Sequence, residues 1–200
     1  MKKQKNKPLN ILFIGNSHTY YNDMPLMVQR RAADASYDCR VTLIAHPGWF
    51  LAQYVEEPDV RFNIQYGRYD YVVLQEHAHP FGPEEKFRGA AIVLNKLIRE
   101  AGGIPVIYEV WAKKTEPDMQ EHMNTVHESI AKEIGALIAP VGENWWGYMR
   151  SWPELNMYAE DGEHASAAGS DFAAKYIWET IRSDMDGNRR GSFQRREADI

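Results

Sequence analysis

The sequence predicts an α/β fold: a three-layer α/β/α sandwich around a central, mainly parallel five-stranded sheet. Short apolar runs rich in Ile, Val and Leu alternate with longer segments whose apolar residues recur at steps of three and four. Successive runs lie roughly 30 residues apart, the length of a right-handed βαβ unit. Such units set their strands parallel and cover both sheet faces with helices.

Ile11 to Ile14 reads as the first buried strand, ended by Gly15. Pro25 to Ala35 reads as a helix, with Asp23 as N-cap and Pro25 in the first turn. Val41 to Ile44 is a second strand closed by Pro47-Gly48, and Phe50 to Tyr66 is helical but broken near Pro58. Tyr71 to Leu74 is the third strand, followed by a turn over Pro80 to Pro83. From Glu84 to Ala101 the apolar positions Phe87, Ala91, Leu94 and Ile98 mark one face of a helix that Gly102-Gly103 ends. Ile104 to Tyr108 is a fourth strand, Pro117 to Ile134 a helix, Leu137 to Val141 a shorter fifth strand and Ala167 to Ile181 the last helix. No internal repeat or linker divides this pattern. It gives one domain over residues 9–183, a polar extension over residues 1–8 and a polar, flexible tail over residues 184–200.

Composition narrows the function. With 44% hydrophobic and 26% charged residues, the chain is an ordinary globular domain. At 200 residues it buries enough apolar surface to need no disulfide or metal for its core. The single cysteine, Cys39, forms no internal disulfide and no cysteine zinc cluster. A net charge of −5 argues against nucleic acid as a partner, and acids dilute the four arginines of the tail. No apolar run approaches the length of a membrane span. The basic start, Met1 to Lys7, is followed by an apolar run too short for a signal peptide. The chain as given therefore reads as cytoplasmic, and a chain trimmed of an export signal would read the same.

Ligands of open parallel sheets bind at the carboxyl ends of the strands. Four segments at such positions are rich in reactive groups: Gly15-Asn16-Ser17-His18, His46-Pro47-Gly48, Gln75-Glu76-His77-Ala78-His79, and Asp161-Gly162-Glu163-His164 before the last helix. Ser17 follows a strand and a glycine, where a tight turn presents a hydroxyl above the sheet. A serine hydroxyl needs a base within hydrogen-bond reach. His164 suits that role, and Asp161, three residues earlier, suits the group that fixes its tautomer and stabilises the imidazolium. Singly these residues read as a turn serine and a solvated loop; together, in this order, they read as a triad. The N–H groups of Ser17 and Gly48 and the side-chain amide of Gln75 are candidate oxyanion donors.

In these blocks the chain resembles the SGNH (GDSL-like) hydrolases, whose fold is flavodoxin-like. Gly15-Asn16-Ser17 matches the serine block, Gly48 the glycine block, Gln75 the position usually held by asparagine, and Asp161-Gly162-Glu163-His164 the Asp-x-x-His block. The likeness spans about Leu9 to Ile181. Asn16 stands for the Asp of Gly-Asp-Ser, and Ala165 for the proline after the histidine, which loosens that loop. Gln75 is one methylene longer than the asparagine it replaces. Thr19 stands where the α/β-hydrolase elbow has its second glycine, so the chain departs from that motif.

The resemblance implies a serine esterase, with Ser17, His164 and Asp161 catalytic, Ser17, Gly48 and Gln75 at the oxyanion, and no cofactor or metal. The implied partner is a small-molecule ester, such as a short acyl or acetyl group on a sugar or lipid. His18, Glu76, His77, His79 and Trp111 are expected to line the substrate cleft. Two alternatives stay open. Glu76, His77 and His79 with His18 or His46 are potential ligands of a metal-dependent hydrolase. Trp111, Trp145, Trp146 and Trp152, with Tyr148 and Tyr158, either pack the core or form the stacking wall of a non-catalytic carbohydrate- or small-ligand-binding domain.

Overall fold

The structure, a computed structural model, describes residues 7–197, with side chains described as far as 187. Five strands, β1 (Leu9–Gly15), β2 (Cys39–Ala45), β3 (Tyr71–Gln75), β4 (Ile104–Tyr108) and β5 (Leu137–Ala139), form one sheet in the order β2-β1-β3-β4-β5. Every neighbouring pair is parallel, with Gly15 beside Ala45, Ile14 beside Leu74 and Gln75 beside Tyr108. The expected α/β/α sandwich is what forms.

Alternation along the strands builds its two cores. Ile11, Phe13, Val73 and Val106 point to one face, where α2 (Met24–Asp34) and α7 (Ala167–Glu197) bury Val28, Ala32, Ile177 and Ile181. Leu12, Ile14, Val72 and Leu74 point to the other. That face is covered by a 3-10 turn at Leu51–Tyr54 and by α3 (Pro58–Tyr66), α4 (Glu84–Glu100) and α5 (Met119–Ile134). Because the central strands bury both faces, they read as continuous apolar runs.

Some boundaries differ from the sequence reading. Asp23 stands at the N-cap of α2, but its left-handed backbone (φ 55°) is not the extended geometry of a capping residue, and its side chain caps nothing. Pro117-Asp118 form a turn before α5, which begins at Met119. The sequence reading missed α6 (Val141–Ser151), whose third N–H donates to the Glu109 carboxylate at the end of β4, a distant capping contact. The last helix passes Ile181 and runs to Glu197, with no proline to stop it. Asp184 accepts a 2.7 Å bond from the Tyr71 hydroxyl and Met185 packs on the core, so tertiary contacts extend past the apolar stripe. Residues 1–6 of the expected extension and 198–200 of the expected tail lie outside the described residues; Lys7 pairs with Asp70 at 3.2 Å. No described helix is long and apolar enough to cross a membrane.

The strand order positions the site. Chain progression reverses at the β1–β3 pair, so the loops after these strands diverge and leave a crevice at their carboxyl ends.

Candidate active site

The turn after β1 is built by hydrogen bonds to its backbone. Asn16 is the extended N-cap of α1 (Ser17–Tyr20), and its Oδ1 accepts the His18 N–H at 3.0 Å. The same amide donates to the Trp49 carbonyl at 2.9 Å, tying the loop after β2 to the serine turn. Asparagine suits this position because one side chain both accepts and donates. Gln75 Oε1, from the end of β3, accepts the Asn16 N–H and the Thr19 hydroxyl, each at 2.8 Å. A Cβ on Gly15 would collide with Thr19 and Gln75, so only glycine admits this close approach.

The loop before α7 is equally determined. Asp161 Oδ1 accepts the N–H groups of Glu163 (2.9 Å) and His164 (3.0 Å), which folds the four residues into a tight turn. Its Oδ2 lies 2.6 Å from His164 Nδ1, and His164 Nε2 lies 2.8 Å from Ser17 Oγ. An ionised carboxylate only accepts, so Nδ1 carries the proton and Nε2 accepts from the serine hydroxyl. Burial opposes ionisation of Asp161. The bonds from the His164 ring and the two N–H groups outweigh it and hold the carboxyl at about 2. Trp111 Nε1 donates to the Glu163 carbonyl (2.8 Å), and Lys114 N–H to that of Gly162 (2.9 Å). Ala165, expected to loosen this loop, pairs with Tyr158 in an antiparallel bridge.

The backbone N–H of Ser17 is the first of α1 and has no acceptor within the helix. Gly48, exposed and left-handed (φ 71°), keeps an N–H with no acceptor among the described residues. Gln75 differs from its expected place. Its side chain is fully buried, with Oε1 engaged as above and Nε2 donating to the Glu76 carbonyl. The amide braces the serine turn from beneath and is not presented to the cleft. The extra methylene lets the side chain fold back under Gly15.

A protein from Slackia heliotrinireducens, described as a candidate SGNH hydrolase, superposes with a TM-score of 0.74 at 27% identity, covering 88% of this chain and 100% of that one. The chain is structurally homologous to the SGNH (GDSL-like) hydrolases. Two further structures share the fold at lower identity. A carbohydrate esterase family 3 protein from Talaromyces cellulolyticus gives a TM-score of 0.70 at 14% identity, covering 90% of this chain and 99% of that one. The psychrotrophic esterase EstA from Pseudoalteromonas sp. gives 0.65 at 13%, covering 88% and 98%. No protein-family model and no curated protein matches the chain.

Within this SGNH-type frame the expected cleft residues divide. Trp111 is fully buried and stacks on Trp145 at 4.0 Å and 7°, so it is a core residue beneath the histidine loop and not a cleft wall. Glu76 is buried too; its Oε1 accepts the His77 N–H at 2.7 Å, and both oxygens face the Leu51 N–H. Burial raises its carboxyl to about 7. His18 is buried with an unpartnered Nε2, and burial lowers its pKa well below the usual imidazole value. Half-buried His79 meets it edge-on at 5.1 Å and is lowered by burial to about 4. His77, half-buried, stacks on Phe50 at 4.3 Å. No group of three or more His, Cys, Asp or Glu among the described residues is arranged to hold a metal ion. Of the aromatic cluster, Trp145 and Tyr158 are core residues, Trp146 donates to Gln120 Oε1, and Trp152 is 51% exposed.

One residue of the site carried no sequence signal. The Tyr21 ring stacks on His164 at 4.2 Å and 11°.

Proposed function

We propose that this chain is a serine ester hydrolase acting through an acyl-enzyme. The observation that carries the reading is the Ser17–His164–Asp161 relay, with links of 2.8 and 2.6 Å. Ser17 Oγ attacks the ester carbonyl while His164 Nε2 takes its proton, and Asp161, ionised, stabilises the imidazolium. The N–H groups of Ser17 and Gly48 receive the oxyanion, with Gln75 bracing the turn that carries the first of them. His164 then returns the proton to the departing alkoxide. Water, deprotonated by the same imidazole, attacks the acyl-enzyme, and Ser17 is regenerated.

The substrate is a carboxylic ester, with a short acyl or acetyl group on a sugar or lipid as the class to examine. A carbohydrate esterase and an acetyl xylan esterase among the structural neighbours put acetylated sugars first in the assay. The test is treatment with a fluorophosphonate followed by peptide mass spectrometry. A single adduct on the peptide containing Ser17, absent from Ser17→Ala, is the expected result. Adducts elsewhere, or none from a protein that hydrolyses p-nitrophenyl acetate, would refute the reading. Hydrolysis should survive EDTA; loss of activity restored by zinc would revive the metal alternative.

A further inference from the structure

His164 sits on a loop, and apart from the reacting contact of Nε2 with Ser17 its ring makes one bond, from Nδ1 to Asp161. The Asp161 side chain is 44% exposed, so water competes for that bond. These two bonds, on opposite sides of the ring, leave the imidazole free to tilt about the line that joins them. Yet Nε2 must stay directed at Ser17 as the proton moves in both directions.

A second element meets this ring. Tyr21 opens a 3-10 turn, Tyr21–Asp23, in which Asn22 (φ 54°) and Asp23 (φ 55°) are consecutive left-handed residues without being glycine. Strain of this kind persists only where the surroundings over-determine it. They do so here through the Asn22 amide. Its Nδ2 donates to the Ala165 carbonyl at 3.1 Å and to the Ser170 hydroxyl at 2.9 Å. The Ser170 hydroxyl in turn donates to the Tyr21 carbonyl at 3.3 Å. Ala165 directly follows His164. The strained turn is thus pinned to the backbone that carries the histidine, and the pinned turn lays the Tyr21 ring flat on the imidazole. On the buried side His18 lies 4.9 Å from the same ring.

We propose that Tyr21 and Asn22 are positioning residues for His164: the Asn22 amide locks the turn after β1 to the histidine loop, and the Tyr21 ring fixes the imidazole plane. The inference rests on the reading of Ser17 and His164 as nucleophile and base. Neither residue bonds to the substrate; both act by holding Nε2 on the line to Ser17 Oγ. The stacked face also suits the imidazolium that forms during turnover, since the negative face of an aromatic ring attracts a cation.

The experiment compares Tyr21→Leu, Tyr21→Phe, Asn22→Gly and Ser17→Ala for kcat, KM, melting temperature and the NMR signal of the His164 ring, assigned with His164→Gln. Tyr21→Leu should lower kcat by about 10-fold or more with KM within about 2-fold, the signature of misplaced reacting groups. Tyr21→Phe, which keeps the ring, should restore most of that loss. The His164 ring protons should move downfield in Tyr21→Leu and stay put in Tyr21→Phe, because only the first loses the ring current. Asn22→Gly relieves the left-handed backbone while removing the clasp, so kcat should fall without loss of melting temperature. A purely structural role for Asn22 would not separate the two. Full kcat in Tyr21→Leu, or a change in KM alone, would overturn the positioning role, as would an unmoved His164 signal. Inactive Ser17→Ala beside fully active Tyr21→Leu and Asn22→Gly would sink this inference alone; active Ser17→Ala would sink the nucleophile reading and this inference with it.

Discussion

His164 Nε2 stands 2.8 Å from Ser17 Oγ, although 147 positions separate the two residues in the chain. The turn after β1 brings the serine to the strand-order reversal, and the loop before α7 brings the histidine back across it. The contact therefore depends on the whole sheet, and the predicted chemistry depends on the contact.

Ser17→Ala removes the nucleophile from a half-buried position and leaves the fold intact. Turnover of short p-nitrophenyl esters should fall on the order of 10⁴-fold or more, with the circular dichroism spectrum and melting temperature retained. Activity within tenfold of wild type would rule out Ser17 as the nucleophile.

Asp161→Asn should reduce kcat by about 10²- to 10⁴-fold, because an amide can offer Nδ1 a donor and select the wrong tautomer. The carboxyl is held near 2 against an ordinary 3.8, so it is ionised throughout the neutral range. Its depressed value contributes stability that is present above pH 3.8 and is lost as pH falls through 2. Acid denaturation of Asp161→Asn should lack that component. A variant with wild-type rate and acid profile would reduce Asp161 to a loop residue.

Gln75→Ala separates bracing from oxyanion donation. Loss of Oε1 leaves the Asn16 N–H and the Thr19 hydroxyl buried without an acceptor, which costs about 1–3 kcal/mol for each. Melting temperature and kcat should fall together. A roughly 10²-fold drop in kcat at unchanged stability would instead return Gln75 to the oxyanion.

Glu109→Gln reports on stability alone. Burial raises the Glu109 carboxyl from 4.5 to about 7, so between those values the folded state binds more protons than the unfolded chain. The Glu109 contribution to stability should therefore fall as pH rises from 4.5 to 7 and level off above. His18, His79 and His127, lowered by burial, contribute in the opposite direction over the same range. Glutamine keeps an oxygen for the Glu143 N–H and carries no charge. The variant should gain up to about 3 kcal/mol relative to wild type above pH 7, with the difference vanishing below the unfolded value. The difference between the two proteins isolates Glu109, since the raised Glu76 and the lowered histidines act equally on both. Urea titrations at pH 4, 6 and 8 measure this; an equal slope in both proteins would place Glu109 outside the linkage.

Local physics explains which features were readable in the sequence. Strand runs, helix periodicity and the glycines that end them involve neighbours a few positions apart, so five strands and their order along the chain follow from residue pattern. The Asp161–His164 turn is also local, closed by bonds spanning two and three residues. Only the tertiary structure decided where the longer side chains point. Gln75 turns under Gly15 because β3 lies beside β1, and Trp111 is buried because α6 brings Trp145 against it. α6 was not read because its third N–H is capped by Glu109, 34 positions away. Tyr21 covers His164 because Asn22 finds acceptors 143 and 148 positions away. A residue's type limits which bonds it can make, while its partners are set by strand register and loop placement, and those exist only once the sheet has closed its two cores.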